Sequence, residues 1–330
     1  MHWKIKNFIF HILENVPSGK TLYYFLQRYI TKSVLIDGDH FKNIFNNKVL
    51  PHFQAINDFG KNLRETSVFE FGAGWDMLTP IGFALYKNTM NSFKNTISPD
   101  FSIRKYIAVD LNSYVHPELV LNILKLYSKY INDLSVCYNN EHALRTDWEK
   151  LYSEKYPRKI GAMLKDIFNI EYYAPMDAGN TPFVNESIDY VISNATLEHI
   201  PYNDINRIFR ECYRLLKYDG IMSCIIDYTD HWSYADPSIN AFNYMKYSEE
   251  QWKKYNPSMH FQNRMQHSDY VTLLKKNGFD ILKSVKLVID SDKQNLERIK
   301  LADCFKKYEF NELLIRSEHF IVSKSKSIKN

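Results

Sequence analysis

The chain has 330 residues, a formal net charge of +4, 45% hydrophobic and 24% charged residues. That is ordinary globular composition, long enough to bury a full core, and so small a net charge over scattered lysines gives no reason to expect nucleic acid. Four cysteines, Cys137, Cys212, Cys224 and Cys304, form no C-x-x-C pair and no disulfide framework, which fits a reducing, cytoplasmic setting; no stretch reaches the roughly 20 apolar residues of a spanning helix.

Residues 1–65 carry apolar positions at three- and four-residue spacing, notably in "GKTLYYFLQRYI" and "DHFKNIFNNKVLPHFQAINDFGKNL", and are expected to form an N-terminal helical extension. Its first helix, with Trp3, Phe8, Phe10 and Ile12 among lysines, reads as one that packs on the core. A regular alternation starts at "SVFEFG" (67–72), a β-rich run ending in glycine, followed by a helix over 76–87 with Pro80 in its first turn. "KYIAVDLN" (105–112) is a second strand with Asp110 at its end, and a long helical stretch is expected over about 113–168. "IEYYAPMDA" (170–178) and "SIDYVISNAT" (187–196) are the third and fourth strands. "YNDINRIFRECYRLLKYDG" (202–220) predicts an amphipathic helix closed by Gly220, with the fifth strand at 221–229. Residues 230–266 are polar, aromatic and irregular. A helix with Ser268 as N-cap and Gly278 after its end then leads into a sixth strand, and 313–326 closes the chain as a strand before a basic tail. Strands alternating with helices predict an α/β fold with a doubly wound, mostly parallel sheet.

In such a sheet ligands bind beyond the carboxyl ends of the strands, at the switch point. Glu70-Phe71-Gly72-Ala73-Gly74 occupies such an end. Gly72 suits the tight turn out of the strand and Gly74 the close approach of a ligand. A dinucleotide loop wants a third glycine three residues on, and Met77 stands there. Glu70 also sets negative charge where a phosphate would lie, and suits a cationic group instead. Asp110 can accept both hydroxyls of a ribose, and Asp177 ends the third strand where an adenine edge would sit. A ribose, an adenine and a cationic end without phosphate describe S-adenosyl-L-methionine (SAM).

These residues resemble the motifs of class I SAM-dependent methyltransferases. "VFEFGAG" is similar to the first motif, "AVDLN" to the acidic ribose-binding strand end, "MDAGNTPFVNESIDYVISNATLEHIP" to the Asp-to-Leu-Glu-His segment, and "IFRECYRLLKYDGIM" to the helix and turn before the fifth strand. Trp75-Asp76, Thr181 and Tyr218-Asp219 depart from the usual residues. The resemblance spans most of 67–325. It implies a Rossmann-like seven-stranded sheet whose last strand is antiparallel, in a SAM-binding domain over 66–330 with insertions at about 113–168 and 230–266. It further implies that Glu70, Phe71, Gly72, Ala73, Gly74, Asp110, Leu111, Asp177, Ala178 and Asn194 surround the cofactor. His199, in the Leu-Glu-His tail, is read as a residue that packs at a helix start.

For a hydroxyl acceptor a general base is wanted, and the segment after the fifth strand supplies candidates: His231 first, with Asp227 and His260. Tyr228, Trp232 and Tyr234 are candidate pocket walls. Asp227, His231 and His260 have metal-ligand chemistry but match no firm spacing, so no metal is assigned. The expected activity is O-methylation of a small molecule or glycan precursor, since "DHWSYADPSINAFNYMKYSEEQW" (230–252) followed by "HFQNRMQHSDY" (260–270) loosely resembles methyltransferases of bacterial surface-polysaccharide biosynthesis. RNA or protein methylation, a non-catalytic SAM-fold binding protein and an NAD-linked dehydrogenase are the rival readings.

Overall fold

The computed structural model describes residues 2–25, 36–61, 64–85, 102–130, 134 and 146–325. Cys137, the middle of the 113–168 stretch, the last two residues of the 76–87 helix, the end of "GKTLYYFLQRYI" and the basic tail lie outside them.

Seven strands make one sheet: β1 (Thr66–Phe71), β2 (Ile103–Val109), β3 (Ile170–Tyr173), β4 (Ile188–Asn194), β5 (Leu216–Asp227), β6 (Phe279–Val288) and β7 (Ile315–Lys324). Their spatial order is β3-β2-β1-β4-β5-β7-β6. β1 pairs in parallel with both β2 and β4, and β7 runs antiparallel between β5 and β6. The order reverses between β1 and β4, so the switch point lies at their carboxyl ends. β1 is buried along its whole length, as a central parallel strand covered on both faces should be. On one face Phe53, Ile81, Phe83, Ile123 and Tyr127 pack against Val68, Tyr106 and Tyr190. On the other, Ile205, Phe209, Leu215, Tyr270 and Leu273 cover Phe69, Val191 and Met222.

The N-terminal helices divide their packing between two partners. Helices Gly38–Ile44 and Leu50–Phe59, joined by a π-helical turn over Phe45–Val49, bury Phe41, Phe45, Val49 and Phe53 in the sheet core. Helix Trp3–Glu14 instead buries Trp3 and Phe10 against Trp232, Phe242, Tyr244 and Trp252 of the segment after β5. Trp3 donates its backbone N–H to Asp236 Oδ2 at 2.8 Å, and the aromatic cluster continues through Tyr247 and Tyr255.

The predicted elements recur with three corrections. The helix from Tyr202 stops at Leu215, and β5 begins at Leu216 rather than 221. Lys217 is tied to Asp189 of β4 at 2.8 Å, and a Cβ on Gly220 would lie 2.5 Å from the Asp189 carbonyl. Gly220 therefore serves a close strand contact and not a helix end. The N-cap of helix His267–Lys276 is Gln266, in a reciprocal box with Asp269, whereas Ser268 gives its backbone N–H to Glu312. β3 ends at Tyr173 because Pro175 has no N–H for the ladder, so Asp177 lies in the loop beyond it. Gly278 has φ +84°, as its place after the helix end requires. Residues 290–313 carry two short helices, Asp292–Glu297 and Phe310–Leu313, at the junction of β6 and β7.

Candidate active site

Beyond β1 the chain turns on Gly72 at φ +73° and Gly74 at φ +79°. The two glycines serve different ends. A Cβ on Gly72 would strike the Thr196 side chain at 2.3 Å, so this glycine lets the loops after β1 and β4 touch. A Cβ on Gly74 would meet nothing within 4 Å, so that backbone faces open space. Asp110, one residue past β2, is 6% exposed. The backbone of Ala73 and Gly74 and the Tyr172 hydroxyl bond its carboxylate, yet its Oδ2 has no partner, and burial pushes its pKa up to about 7. Glu70 is 1% exposed and accepts from the Tyr106 hydroxyl at 2.8 Å. Burial outweighs that bond and raises its pKa to about 8. Glu70, Gly72, Ala73, Gly74, Trp75, Asp76, Thr79 and Asn194 line one cavity of ≈ 340 Å³.

Asn194, at the end of β4, joins this cavity to a second one. Its Oδ1 faces His52 Nε2 at 2.8 Å; His52 Nδ1 lies 2.7 Å from Ser223 Oγ, and Ser223 Oγ 2.7 Å from His319 Nε2. Because an amide oxygen only accepts, His52 donates from Nε2 and accepts the Ser223 hydroxyl at Nδ1; Ser223 in turn accepts from His319. Burial holds His52 neutral, at about 3. His319 opens on a cavity of ≈ 1050 Å³ between the N-terminal helices and the β5–β7–β6 side of the sheet. Lys48, on the π-helical turn, lines both cavities, and such turns often occur where a side chain is aimed at a ligand.

Asp227 and Tyr234 form part of the wall of the larger cavity, and behind them lies a cluster of ionisable groups. His231, 8% exposed, sits in the turn after β5 with Nε2 3.5 Å from Asp227 Oδ2. Asp227 also accepts from the Tyr234 hydroxyl at 2.6 Å and the Thr229 N–H at 2.8 Å. Burial opposes charge on His231, but the carboxylates of Asp227, Glu198 and Asp230 prevail and its pKa is raised. Asp227 shows the reciprocal effect, burial being outweighed by His231 and its other donors so that its pKa falls. Glu198 is 2% exposed, neither carboxylate oxygen has a hydrogen-bond partner, and burial lifts its pKa to about 7. His199 donates from Nδ1 to the Phe261 carbonyl at 2.8 Å, and its ring centroid is 4.8 Å from that of His231.

The structure thus brings Glu70, Gly72, Ala73, Gly74 and Asn194 onto one cavity, with Asp110 against the same glycine loop. Leu111 beside it is 69% exposed, an apolar side chain left in solvent at the loop's rim. Phe71 is in the core, and Ala178 packs with the cluster on the other face of the sheet. Asp177 is not on the cavity: it pairs with Arg207 and accepts from the Gly179 N–H at 2.8 Å. His260 packs between Phe10, stacked at 5.3 Å, and Trp232 at 4.2 Å, and burial together with His231 keeps it neutral at about 3. Of the candidate walls, Tyr234 faces the cavity, whereas Tyr228 and Trp232 are core residues. Sequence reasoning missed Lys48 and the buried, unpaired state of Glu198. Only the Glu-His dipeptide at a strand exit signalled the latter, and no local pattern signals the former.

Residues 149–224 match the family described as "Methyltransferase domain". No curated protein sequence matches the chain. Among solved structures, phosphoethanolamine N-methyltransferase 2 of Haemonchus contortus, crystallised with SAM, is similar over 91% of this chain and 59% of its own, with 16% identity and a TM-score of 0.44. A SAM-dependent methyltransferase of Methanosarcina mazei is similar over 82% and 96%, with 12% identity and a TM-score of 0.43. Geranyl diphosphate C-methyltransferase of Streptomyces coelicolor is similar over 82% and 79%, with 12% identity and a TM-score of 0.41. The strand order with its antiparallel β7 and the match over 149–224 agree with the Rossmann-like methyltransferase fold that the sequence motifs imply. The cofactor those motifs imply is S-adenosyl-L-methionine. The β1–β2 end fits that group: a buried carboxylate oxygen without a partner, and a glycine whose missing Cβ leaves room.

Proposed function

We propose that this methyltransferase methylates a hydroxyl group of a polar small molecule, a sugar or glycan precursor, bound over the tips of β4 and β5. When bound, SAM supplies an electrophilic methyl group on a sulfonium centre, so the protein's task is alignment and removal of the acceptor's proton. In this reading Asp110 accepts the ribose hydroxyls, Glu70 and Asn194 face the amino-acid end, and Leu111, Asp177 and Ala178 lie toward the adenine. Asp177 would first have to leave Arg207.

The observation that carries the acceptor assignment is the His231–Asp227 pair beside the ≈ 1050 Å³ cavity. Its lining suits a polyhydroxylated ligand. Asn43, Asn47, Gln54 and Asn57 offer amide donors and acceptors from the N-terminal helices, and Tyr234, 68% exposed, offers an aromatic face. Lys48, Lys283, Lys286 and Arg316 add positive charge, which favours an acceptor bearing phosphate. His231 takes the hydroxyl proton and Asp227 holds the imidazole for it; His260, neutral and stacked, keeps the His231 loop in place. No described helix is long and apolar enough to cross a membrane.

The test is a panel of sugar phosphates, sugar nucleotides and glycan fragments assayed with methyl-labelled SAM. Label in an ether-linked methyl group of one of these supports the reading. Label on nitrogen or carbon of the acceptor, or in RNA or protein alone, overturns it.

A further inference from the structure

Glu198 poses a problem that methyl transfer by a histidine base leaves unsolved. A carboxylate 2% exposed, with both oxygens unpartnered, is costly unless something positive completes it. Lys48 is near enough to be felt electrostatically by Glu198 but makes no bond to it. What does surround Glu198 is imidazole: Glu198, His199 and His231 each offer a donor atom, and the three atoms lie within 4.8 Å of one another. His231 Nε2 is likewise buried without a hydrogen bond. The third group is already oriented as metal-bound histidines are. His199 gives its Nδ1–H to the Phe261 carbonyl, which leaves Nε2 with its lone pair free. Its exposed edge supplies an entry path from solvent. Donor atoms about 2.1 Å from a tetrahedral ion sit about 3.4 Å apart, so small side-chain rotations close the set.

We propose that Glu198, His199 and His231 bind a divalent first-row transition ion (Mn²⁺, Fe²⁺, Co²⁺ or Zn²⁺) that holds the acceptor hydroxyl. Two imidazoles and one carboxylate favour these ions over Mg²⁺, which prefers an all-oxygen shell. Three protein ligands leave positions open, as in catalytic metal sites. The inference rests on the hydroxyl-methylation reading and deepens it. The ion polarises the bound hydroxyl, Asp227 receives its proton, and the oxygen forms the new O–C bond as the methyl C–S bond breaks. S-adenosylhomocysteine leaves neutral and the proton remains on Asp227. His231 is then a ligand in place of a base: Nε2 gives up its 3.5 Å approach to Asp227 for the ion, which frees Asp227 to act as the proton acceptor.

The experiment uses the full chain stripped of metal with a chelator. Co²⁺, Zn²⁺ and Mg²⁺ are titrated by calorimetry, with Co²⁺ also followed by its visible d–d absorption. One equivalent of Co²⁺ or Zn²⁺ should bind, and Mg²⁺ at least about 100-fold more weakly. Glu198→Gln and His199→Gln should each weaken Co²⁺ binding by about 100-fold or more, since even outer partners of a ligand cost 10–100-fold. Metal-free Glu198→Gln should unfold at or above the wild-type temperature, having lost a buried charge, and only the wild type should gain stability on adding the ion. Absent Co²⁺ and Zn²⁺ binding, equal binding by the variants, or preference for Mg²⁺ overturns the proposal. SAM binding and methyl uptake are measured in the same samples. Methyl transfer to a hydroxyl by ion-free protein refutes the metal site and leaves the acceptor reading standing. Ion binding with methyl uptake only on nitrogen or carbon does the reverse.

Discussion

The two ends of the strand-tip crevice are built by different means. At the β1–β2 end the loop Gly72–Gly74 and Asp110 lie within a residue or so of buried strands, and the site's key contacts are backbone amides on a carboxylate. At the β4–β5 end the groups come from 198–199, 227, 231 and 260, and they are held by side chains. Helix Trp3–Glu14 packs against Trp232 and His260, and a buried chain of Asp230, Asn243 and Gln262 fixes the turn that carries His231. The first end is set by register within one sheet. The second is packed against an N-terminal helix more than 200 residues away in sequence. Damage at one end should therefore spare the other, and that independence can be attacked directly.

The largest effect is expected from His231→Ala. Turnover should fall roughly 10²–10⁴-fold, the usual range for losing proton removal, whether His231 takes the proton itself or holds the ion that delivers it to Asp227, while SAM affinity by calorimetry stays within about twofold of wild type. A parallel loss of SAM binding would mean that the two ends are one mechanical unit. Trp3→Ala comes next. Trp3 is 2% exposed, and truncating a buried Trp costs about 3–5 kcal/mol. Urea unfolding should show that loss, and turnover should drop with SAM affinity kept. Asp110→Asn reverses the pattern: a lost charged hydrogen bond of about 1.5–3 kcal/mol weakens SAM roughly 10–100-fold, and saturating SAM should restore turnover. If neither titration nor turnover distinguishes this variant, Asp110 does not hold the ribose.

The same contrast governs what could be read from the chain. Gly72, Gly74, Glu70 and Asp110 stand within a few residues of strands that announce themselves by composition, so motif and geometry coincide. The same rule points to Asp177, but β3 ends four residues before it, and Arg207 from the helix after β4 pairs with its carboxylate. His231 and Asp227 are candidates from sequence because they follow a strand closely. His260 was chosen for its chemistry, and its stacking on Phe10 depends on a helix that no local pattern links to it. The apolar spacing over 202–220 predicts too long a helix because it runs on through Leu215 and Leu216, while the pairing with β4 that converts Leu216 to strand is non-local.

The smallest effect is a pH dependence, shared in stability with Glu198 but in SAM binding confined to the β1–β2 end, and its sign can be worked out. Asp110 is raised from 3.8 to about 7 and Glu70 from 4.5 to about 8, both chiefly by burial. Between the unfolded and folded values the native state holds more protons than the unfolded chain, so stability falls as pH rises from about 4 toward about 8. Ligand-free protein should accordingly have its highest unfolding midpoint at the acid side of that window, and Asp110→Asn should flatten the slope. SAM binding runs the other way. Ribose hydroxyls donate to an ionised Asp110, whose charged fraction climbs from about a tenth one pH unit below its pKa to about nine tenths one unit above. SAM affinity should therefore rise up to roughly tenfold between pH 6 and pH 8 in the wild type and stay level in Asp110→Asn. A slope shared by both proteins would place the titrating group elsewhere, and a slope that instead vanished in His231→Ala would erase the division between the two ends.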